Sequence, residues 1–496
     1  MKNFILLNNK KIKNLIKIFF LFTVVFFLKL LIENRIEIDI FILLIFLFFI
    51  NYFILYLYFS LKKEENYIPI YPLILFYYWS TVSLYFYFEQ ELAPFTINQA
   101  LSPIELIYPD IILFIKVFSL GLIFFSSGYF ILNFFNLKKI SYNLDQINKH
   151  ETYLVTFFLL FIPFYYINYE LNFFKLNFIN QLKQPIMIFV LSYFQIKYLV
   201  TKNIFFLLIL IFLLSLLFFI EISFGSTLFP FMMIAALILL SFYKNKKINL
   251  ANILLIFLSI YVVHSLKNEI RISTWSTYIN TDNNKIKEDK SKKQTTNSEI
   301  LFRIKSSADI YTNGLDKVLY DFNVRNQKNR LFHSNQTLKI VLTQTPNVVS
   351  FYNGESYVNI LYKFIPRFFY KNKPNEEWGN FWGKRYAALN SYDQTTSWNF
   401  PILSEFYANF GIKGVIFGMF LLGITIKILL ILLSFNFGQP VLLSMSSTIM
   451  LNFFFLESNL TMVLGAVIQH ILFFTVIIFS IFLLNFLIKK ISNFKI

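Results

Sequence analysis

Apolar runs long enough to cross a bilayer recur along most of this chain, and no other feature restricts its folding as strongly. "IDIFILLIFLFFINYFILYLYFSL", Ile38 to Leu61, is one of them. A helical run of about 20 apolar residues matches the hydrocarbon thickness of a membrane. Read by this rule, the chain is an all-α integral membrane protein with about twelve transmembrane helices. The spans lie at roughly 15–33, 37–60, 68–88, 111–135, 153–169, 185–201, 204–220, 224–243, 249–266, 412–434, 439–456 and 461–488. Composition agrees: 57% of the 496 residues are hydrophobic and 15% are charged, where a soluble domain carries about 25% charged.

The charges assign an orientation. With the N-terminus inside, the inner segments hold Lys10, Lys11, Lys13, Lys62, Lys63, Lys138, Lys139, Lys244, Lys246, Lys247, Lys489 and Lys490. The short outer loops hold only Arg35, Lys175 and Lys183, and the loop from Glu89 to Asp110 has neither Lys nor Arg. This is the positive-inside asymmetry, so much of the +18 net charge is topological. It predicts both termini in the cytoplasm. The basic residues are spread over many loops, which argues against nucleic-acid binding. The basic N-terminal stretch runs into a bulky apolar segment without a small-x-small cleavage site, so it reads as an uncleaved first span.

Some chemistries are excluded. The chain has no Cys, hence no disulfide or thiolate chemistry. Its four His form no H-x-x-H or H-E-x-x-H pattern, which argues against a zinc site. Neither G-x-x-x-x-G-K-S/T nor G-x-G-x-x-G occurs, so there is no soluble-type nucleotide cradle. The abundance of Phe and Tyr is general, and single aromatics carry little weight.

Three regions follow: a nine-span part (1–266), a large outer loop (267–404) and a three-span part (405–496). Within the loop, "NTDNNKIKEDKSKKQTTNSE" (280–299) has the composition of a disordered insertion. The remainder of the loop is unusual. It holds Trp275, Trp378, Trp382 and Trp398 of the chain's five Trp. It also holds Arg271, Arg303, Arg325, Arg330, Arg367 and Arg385, while only Arg35 lies elsewhere. A chain that uses Lys for topology reserves Arg for this loop. Arg grips phosphate and carboxylate oxygens in pairs, whereas Lys acts as a point charge. Aromatic residues beside Arg suit sugar faces and the headgroup level. "SNQTLKIVLTQTP" predicts a short helix starting at Ser334 or Asn335 and ending before Pro346. "ESYVNILYKFIPRFFYKNKP" predicts an amphipathic piece on the membrane surface. Gly354, Gly379 and Gly383 are placed at turns. The loop has no Asp-x-Asp pair, which disfavours a metal-bound nucleotide-sugar donor.

Three stretches carry a resemblance. "LKNEIRISTW" supplies Lys267 and Arg271; "TPNVVSFYNGESYVNILYKFIPRFFYKNKP" supplies Thr-Pro, Gly, Ile-Pro-Arg and Lys-Pro; "TTSWNFPILSEFYANFGIKGVIFGM" supplies Glu-x-Tyr-x-Asn-Phe-Gly. In this order they resemble the O-antigen polymerase (Wzy-type) oligosaccharide repeat-unit polymerases. The departures are "FFYKNKP", where an aromatic such as Trp usually precedes the Lys-Pro, and the 280–299 insertion.

The resemblance implies a membrane glycosyltransferase of GT-C-like fold. Such an enzyme passes a glycan from a polyprenyl-pyrophosphate donor to the terminal sugar hydroxyl of a second lipid-linked repeat unit. The product would be an O-antigen, capsule or exopolysaccharide. The partners implied are the lipid-linked donor and acceptor, the bilayer, a chain-length regulator and a flippase; no cofactor or metal is implied. Arg271, Arg330 and Arg367, with Lys373, are the candidates for meeting the pyrophosphate charge. Lys267, Arg385, Tyr407 and Asn409 are further substrate-binding candidates. Glu405 is the candidate that orients or deprotonates the acceptor hydroxyl. Its structural alternative is a cap on the helix starting near Gly411, or a pair with Lys413 or a loop Arg. Tyr407 and Phe410 also fit an aromatic belt. Gly411, Gly414 and Gly418 fit close helix packing. His333 is a surface residue or, because related ligases are thought to use a loop histidine, an outside catalytic candidate.

Two rival functions remain from the sequence: an O-antigen ligase, and a non-enzymatic flippase or transporter of lipid-linked sugars. A transporter usually carries ionisable groups at the bilayer midplane, and the spans offer chiefly Lys29 and Lys116.

Overall fold

The computed structural model describes residues 9–32, 38–61, 70–88, 108–135, 151–171, 177–223, 333–365, 370, 377–393, 396–435, 439–454 and 457–493. Among these residues there is no strand. The helices are α1 (Asn9–Ile32), α2 (Ile38–Leu61), α3 (Ile70–Phe88), α4 (Tyr108–Ile131), α5 (Glu151–Leu171), α6 (Asn177–Thr201), α7 (Ile204–Ser223), α8 (His333–Gln344), α9 (Glu355–Tyr362), α10 (Trp378–Arg385), α11 (Ile402–Leu432), α12 (Pro440–Met450) and α13 (Leu460–Asn493). Short 3₁₀ turns follow α4 and α12. Among the described residues four segments are long and apolar enough to cross a membrane: Ile38–Tyr58, Ile111–Phe135, Ile402–Leu432 and Leu460–Leu483. The described part is all-helical, and these segments mark a membrane protein. The expected spans at 224–243 and 249–266 lie outside the described residues.

The chain divides into two compact units. One comprises Met1–Leu6, Asp145–Gln327 and Asn436–Thr448. In it α6 packs against α5 and α7. Phe158 of α5 meets Phe189 of α6 edge-on, with ring centroids 4.8 Å apart. At one end of this pair Glu151 takes both the Tyr193 hydroxyl and the Lys197 ammonium.

The other unit comprises Leu7–Leu144, Lys328–Phe435 and Ile449–Ile496. Its centre is the pairing of α4 with α11. Glycine makes that pairing close. A Cβ on Gly128 would lie 2.0 Å from the Phe420 carbonyl oxygen, and one on Gly423 would lie 2.1 Å from that of Phe125. Helices in lipid gain association energy from such backbone approach, because apolar side chains alone gain little over lipid tails. Ser126 keeps its hydroxyl satisfied within α4, donating to the Leu122 carbonyl at 2.7 Å. Around this pair runs an aromatic core. Tyr71 of α3 stacks on Tyr129 of α4 at 3.9 Å, and Phe48 of α2 stacks on Phe27 of α1 at 5.2 Å.

α11 is two helices in sequence. Phe410 has φ −140° and Gly411 has φ 62°, ψ −145°, a region essentially reserved for glycine. The chain reverses there. Phe406 and Gly418 would stand about 18 Å apart along a continuous helix, yet a Cβ on Gly418 would lie 2.4 Å from the Phe406 ring. The first piece, 402–409, is thus a half-helix folded back on the second. Gly414 and Gly418 do serve close packing, but against the half-helix that precedes them. Gly411 instead makes the bend.

The break frees carbonyl groups that need partners. Tyr352 N–H donates to the Ala408 oxygen at 3.0 Å and Asn353 N–H to the Asn409 oxygen at 3.2 Å. Segment 351–354 therefore caps the half-helix. The helix expected from Ser334 runs from His333 to Gln344. The first part of the expected amphipathic piece forms α9, where Val358 and Leu361 are exposed, as are Phe364 and Ile365 just after it; residues 366–369 and 371–374 of that piece lie outside the described residues. Gly354 does sit at a turn, with φ 86°. Gly379 and Gly383 do not: both lie inside α10. They admit neighbours instead, Ser397 Oγ 2.0 Å from a Cβ built on Gly379 and the Leu389 side chain 2.5 Å from one on Gly383.

Candidate functional site

The half-helix, segment 351–357 and the start of α13 meet at one place, and each is positioned by a polar side chain. Asn409 is fully buried. Its Oδ1 accepts the Gly354 N–H at 2.9 Å. Its Nδ2 lies 3.0 Å from Ser356 Oγ, 3.2 Å from the Tyr357 hydroxyl and 2.8 Å from the Glu405 carbonyl oxygen. One side chain thereby joins the half-helix to the start of α9. Thr461 makes the third connection, donating from its hydroxyl to the Ser356 carbonyl at 2.9 Å.

Glu405 is 0% exposed. Its Oε2 accepts the backbone N–H of Leu460, the first residue of α13, at 2.6 Å, while Oε1 has no hydrogen-bond partner among the described residues. The carboxylate thus occupies the positive end of a helix, where an anion is stabilised. None of the sequence alternatives named this partner. The capped helix begins at Leu460, and Lys413 is exposed.

Beside this junction lies a groove of about 900 Å³. Its polar end is formed by Asn353, Tyr357, Asn409 and Lys413. Phe406, Phe417, Leu421 and Leu464 continue it as an apolar channel, which reaches Thr425. From Lys413 to Thr425 is about 18 Å of helix, more than half of a hydrocarbon core about 30 Å thick. Glu405 does not line the groove. Asn409 does, and so connects the buried junction to the open space.

The other candidates fall in three groups. Arg271, Arg330, Arg367, Lys267 and Lys373 lie outside the described residues. Arg385 is described and engaged: Nη2 donates to the Ser350 carbonyl at 2.7 Å. Its guanidinium also stacks over the Tyr352 ring at 5.0 Å. Tyr407 is buried, its ring 6.5 Å from that of Phe351. It does not belong to an exposed belt, whereas Phe410 is exposed and lines the groove. His333 opens α8.

Three of the loop tryptophans, Trp378, Trp382 and Trp398, form a small core, and Trp275 lies outside the described residues. Trp382 is fully buried and stacks on Phe400 with centroids 4.4 Å apart. Trp378 and Trp398 are packed beside them. Sugar faces or headgroups cannot reach Trp382, whose role is to hold α10 against residues 397–400. Tyr386 belongs to the same cluster. Burial pushes its hydroxyl up to about 12, so it stays protonated and keeps its 2.8 Å bond to Thr345.

Sequence reasoning missed two polar groups inside helices. Lys29 and Lys116 are exposed, but Lys427 is buried, its ammonium 5.0 Å from the centre of the Tyr129 ring. His470 is buried in α13 with Nδ1 2.8 Å from Asn452 Nδ2. A lysine inside "GITIKILL" and a histidine inside "GAVIQHILFF" were the available signals.

Comparisons with protein-family models, curated proteins and solved structures return no match.

Proposed function

We propose that this protein is a membrane glycosyltransferase that joins polyprenyl-pyrophosphate-linked oligosaccharide repeat units into a surface polysaccharide. The reading includes twelve spans, a GT-C-like arrangement, residues 267–404 on the outer side of the bacterial inner membrane, and both termini inside. One observation carries it. Two of the three stretches on which the resemblance rests, separated by some fifty residues, are joined through the side chain of Asn409 and the N–H of Gly354. Residues shared between motifs are thereby gathered at the polar end of an apolar groove. A substrate with a sugar head and a lipid tail needs that juxtaposition.

In the reaction a bond forms between the acceptor hydroxyl oxygen and the anomeric carbon of the donor. The bond from that carbon to the pyrophosphate breaks, and the electron pair leaves with the pyrophosphate. Fixed cations aimed at the leaving group stabilise the charge that develops, each worth roughly 3–4 kcal/mol. Arg271, Arg330, Arg367 and Lys373 take that role in this proposal. Lys267 is a further substrate-binding cation in this proposal, and Arg385 and Tyr407 hold the described part of the loop in place. The hydroxyl proton leaves to a base: the sequence offers Glu405 for that role, and where Glu405 is structural the departing pyrophosphate oxygen accepts the proton. The burial of Glu405 away from the groove favours its alternative, a structural one.

The test is the glycan profile of a gene deletion. Loss of a polymerase leaves surface glycan one repeat long. Long chains retained on the carrier lipid would instead identify a ligase that transfers to lipid A core. Carrier-linked single repeats trapped on the inner side would identify a flippase.

A further inference from the structure

Helix α9 has its polarity inside out. A helix that faces water turns its apolar stripe toward the protein and its polar residues outward. In α9 and the turn that continues it, Val358, Leu361, Phe364 and Ile365 are 53%, 69%, 56% and 41% exposed. They recur every three to four residues and so share one face. Ser356 and Lys363, seven residues apart, share the opposite face, and they are 0% and 8% exposed. That covered face lies along α13. Thr461 donates to the Ser356 carbonyl at 2.9 Å. The Lys363 side chain crosses Gly465, where an added Cβ would meet its Cε at 2.6 Å. The two helices therefore advance in the same direction, and α9 with its following turn reaches the level of Gly465, about 7.5 Å along α13 from Leu460. Leu460 opens the candidate span Leu460–Leu483. Within this stretch α13 also presents an apolar residue outward, Met462 at 52% exposure. Lipid favours such surfaces and water does not.

We propose that α9 is inserted among the acyl chains of the outer leaflet, not laid on the membrane surface as its sequence suggests, with its apolar face to lipid and Ser356 and Lys363 against α13. This placement accounts for a covered lysine on an exposed helix: the lysine turns inward because the other side is hydrocarbon, and the missing side chain at Gly465 leaves it room. It also fixes a depth. Ser356, which meets Asn409 at 3.0 Å, stands at the head of an element anchored in the bilayer, so the junction around Asn409 is held at the membrane boundary. Nothing in this placement depends on the transferase reading.

The chain has no Cys, so a single introduced cysteine can be labelled in the otherwise native protein. Val358→Cys, Leu361→Cys and Phe364→Cys each replace an exposed side chain, and three positions keep the result from resting on one variant. Each full-length protein carries the fluorophore NBD and is reconstituted in liposomes of phosphatidylcholine and phosphatidylglycerol. Tyr392→Cys, at a site 89% exposed, is the loop reference. Lipids with a nitroxide at the middle of the acyl chain should quench the labels at 361 and 364 more than lipids with a nitroxide on the headgroup. The mid-chain effect should rise from 358 to 364, because α9 descends along α13. Iodide, an ion that hydrocarbon excludes, should quench these labels about tenfold less than the label at 392. Iodide quenching at 361 equal to that at 392 would overturn the insertion by placing the helix in water. Strongest quenching by the headgroup nitroxide would overturn it by returning the helix to the surface. Shielding of all three labels from both nitroxides and from iodide would overturn it by showing that protein, such as a second copy of this chain, covers the face.

Discussion

The Glu405 carboxylate accepts the backbone N–H of Leu460 at 2.6 Å, so a residue of the half-helix caps a helix that starts 55 residues later. This bond decides what the Glu405 variants should do. Gln can accept the same N–H through its amide oxygen, whereas Ala leaves a buried donor unpaired, at a cost of about 1–3 kcal/mol. Glu405→Gln is expected to keep both the melting temperature of the detergent-solubilised protein and its chain-growth rate near wild type. Glu405→Ala should melt measurably lower. A fall of roughly 10²–10⁴-fold in turnover for Gln at unchanged melting temperature would restore Glu405 as the general base.

Asn409 holds two segments together with both ends of its amide. Asn409→Asp keeps an acceptor for Gly354 but loses the donors to Ser356 and Tyr357. Asn409→Ala loses both. Each hydrogen bond is worth about 1 kcal/mol, so Ala should destabilise more than Asp if Gly354 is the main partner. Thermal unfolding of the two variants gives the order. Equal losses would mean that the donor side dominates, and Asp falling below Ala would mean that a carboxylate beside the Glu405 carbonyl is repelled.

At the bend, glycine is required for conformation at one position and for space at another. Gly411→Ala places a Cβ on a backbone at φ 62°, ψ −145°, with an expected cost of about 1–3 kcal/mol. Gly418→Ala meets the Phe406 ring at 2.4 Å, and this cost is relieved when Phe406 is small. Adding Gly418→Ala to Phe406→Ala should therefore destabilise far less than Gly418→Ala alone. Gly411→Ala should stay costly in either background. Additive behaviour at 418 would show that the half-helix does not rest there.

Much of this architecture was legible in the sequence, for definite reasons. Hydrophobic length marks helices such as Ile38–Leu61, because a bilayer admits little else. Capping residues and Pro346 delimited the helix from His333 to Gln344. The half-helix of α11 was not legible: the sequence placed a helix start near Gly411, but only the backbone angles show that residues 402–409 are helical too and that Gly411 reverses the chain between them and the span. The partner of Glu405 was hidden by sequence distance. Local reasoning offered the nearest helix start and nearest cation, while the fold brought in Leu460. Trp382 misled in the other direction. An aromatic in a polar loop suggested a ligand surface, but the loop needs a core of its own, and Trp382 with Phe400 and Tyr386 supplies it.

Arginine separates these two uses of the loop and gives the last prediction. Arg385 donates to the Ser350 carbonyl and stacks on Tyr352, so it fastens α10 to the segment that caps the half-helix. Arg385→Ala should lower the melting temperature, and Arg385→Lys should recover only part of it, because Lys keeps the charge but loses the planar stack. For Arg271, Arg330 and Arg367 the expected pattern is the opposite. Replacement by Ala should stop chain growth while the melting temperature and membrane insertion stay as in wild type, and Lys should restore a fraction of the rate through its charge alone. Chain growth and thermal melting of all four Ala and Lys variants, measured side by side, distinguish the cases. Wild-type growth in the three variants other than Arg385 would leave those residues as solvated charge, and the group that neutralises the pyrophosphate would have to be another cation of the loop.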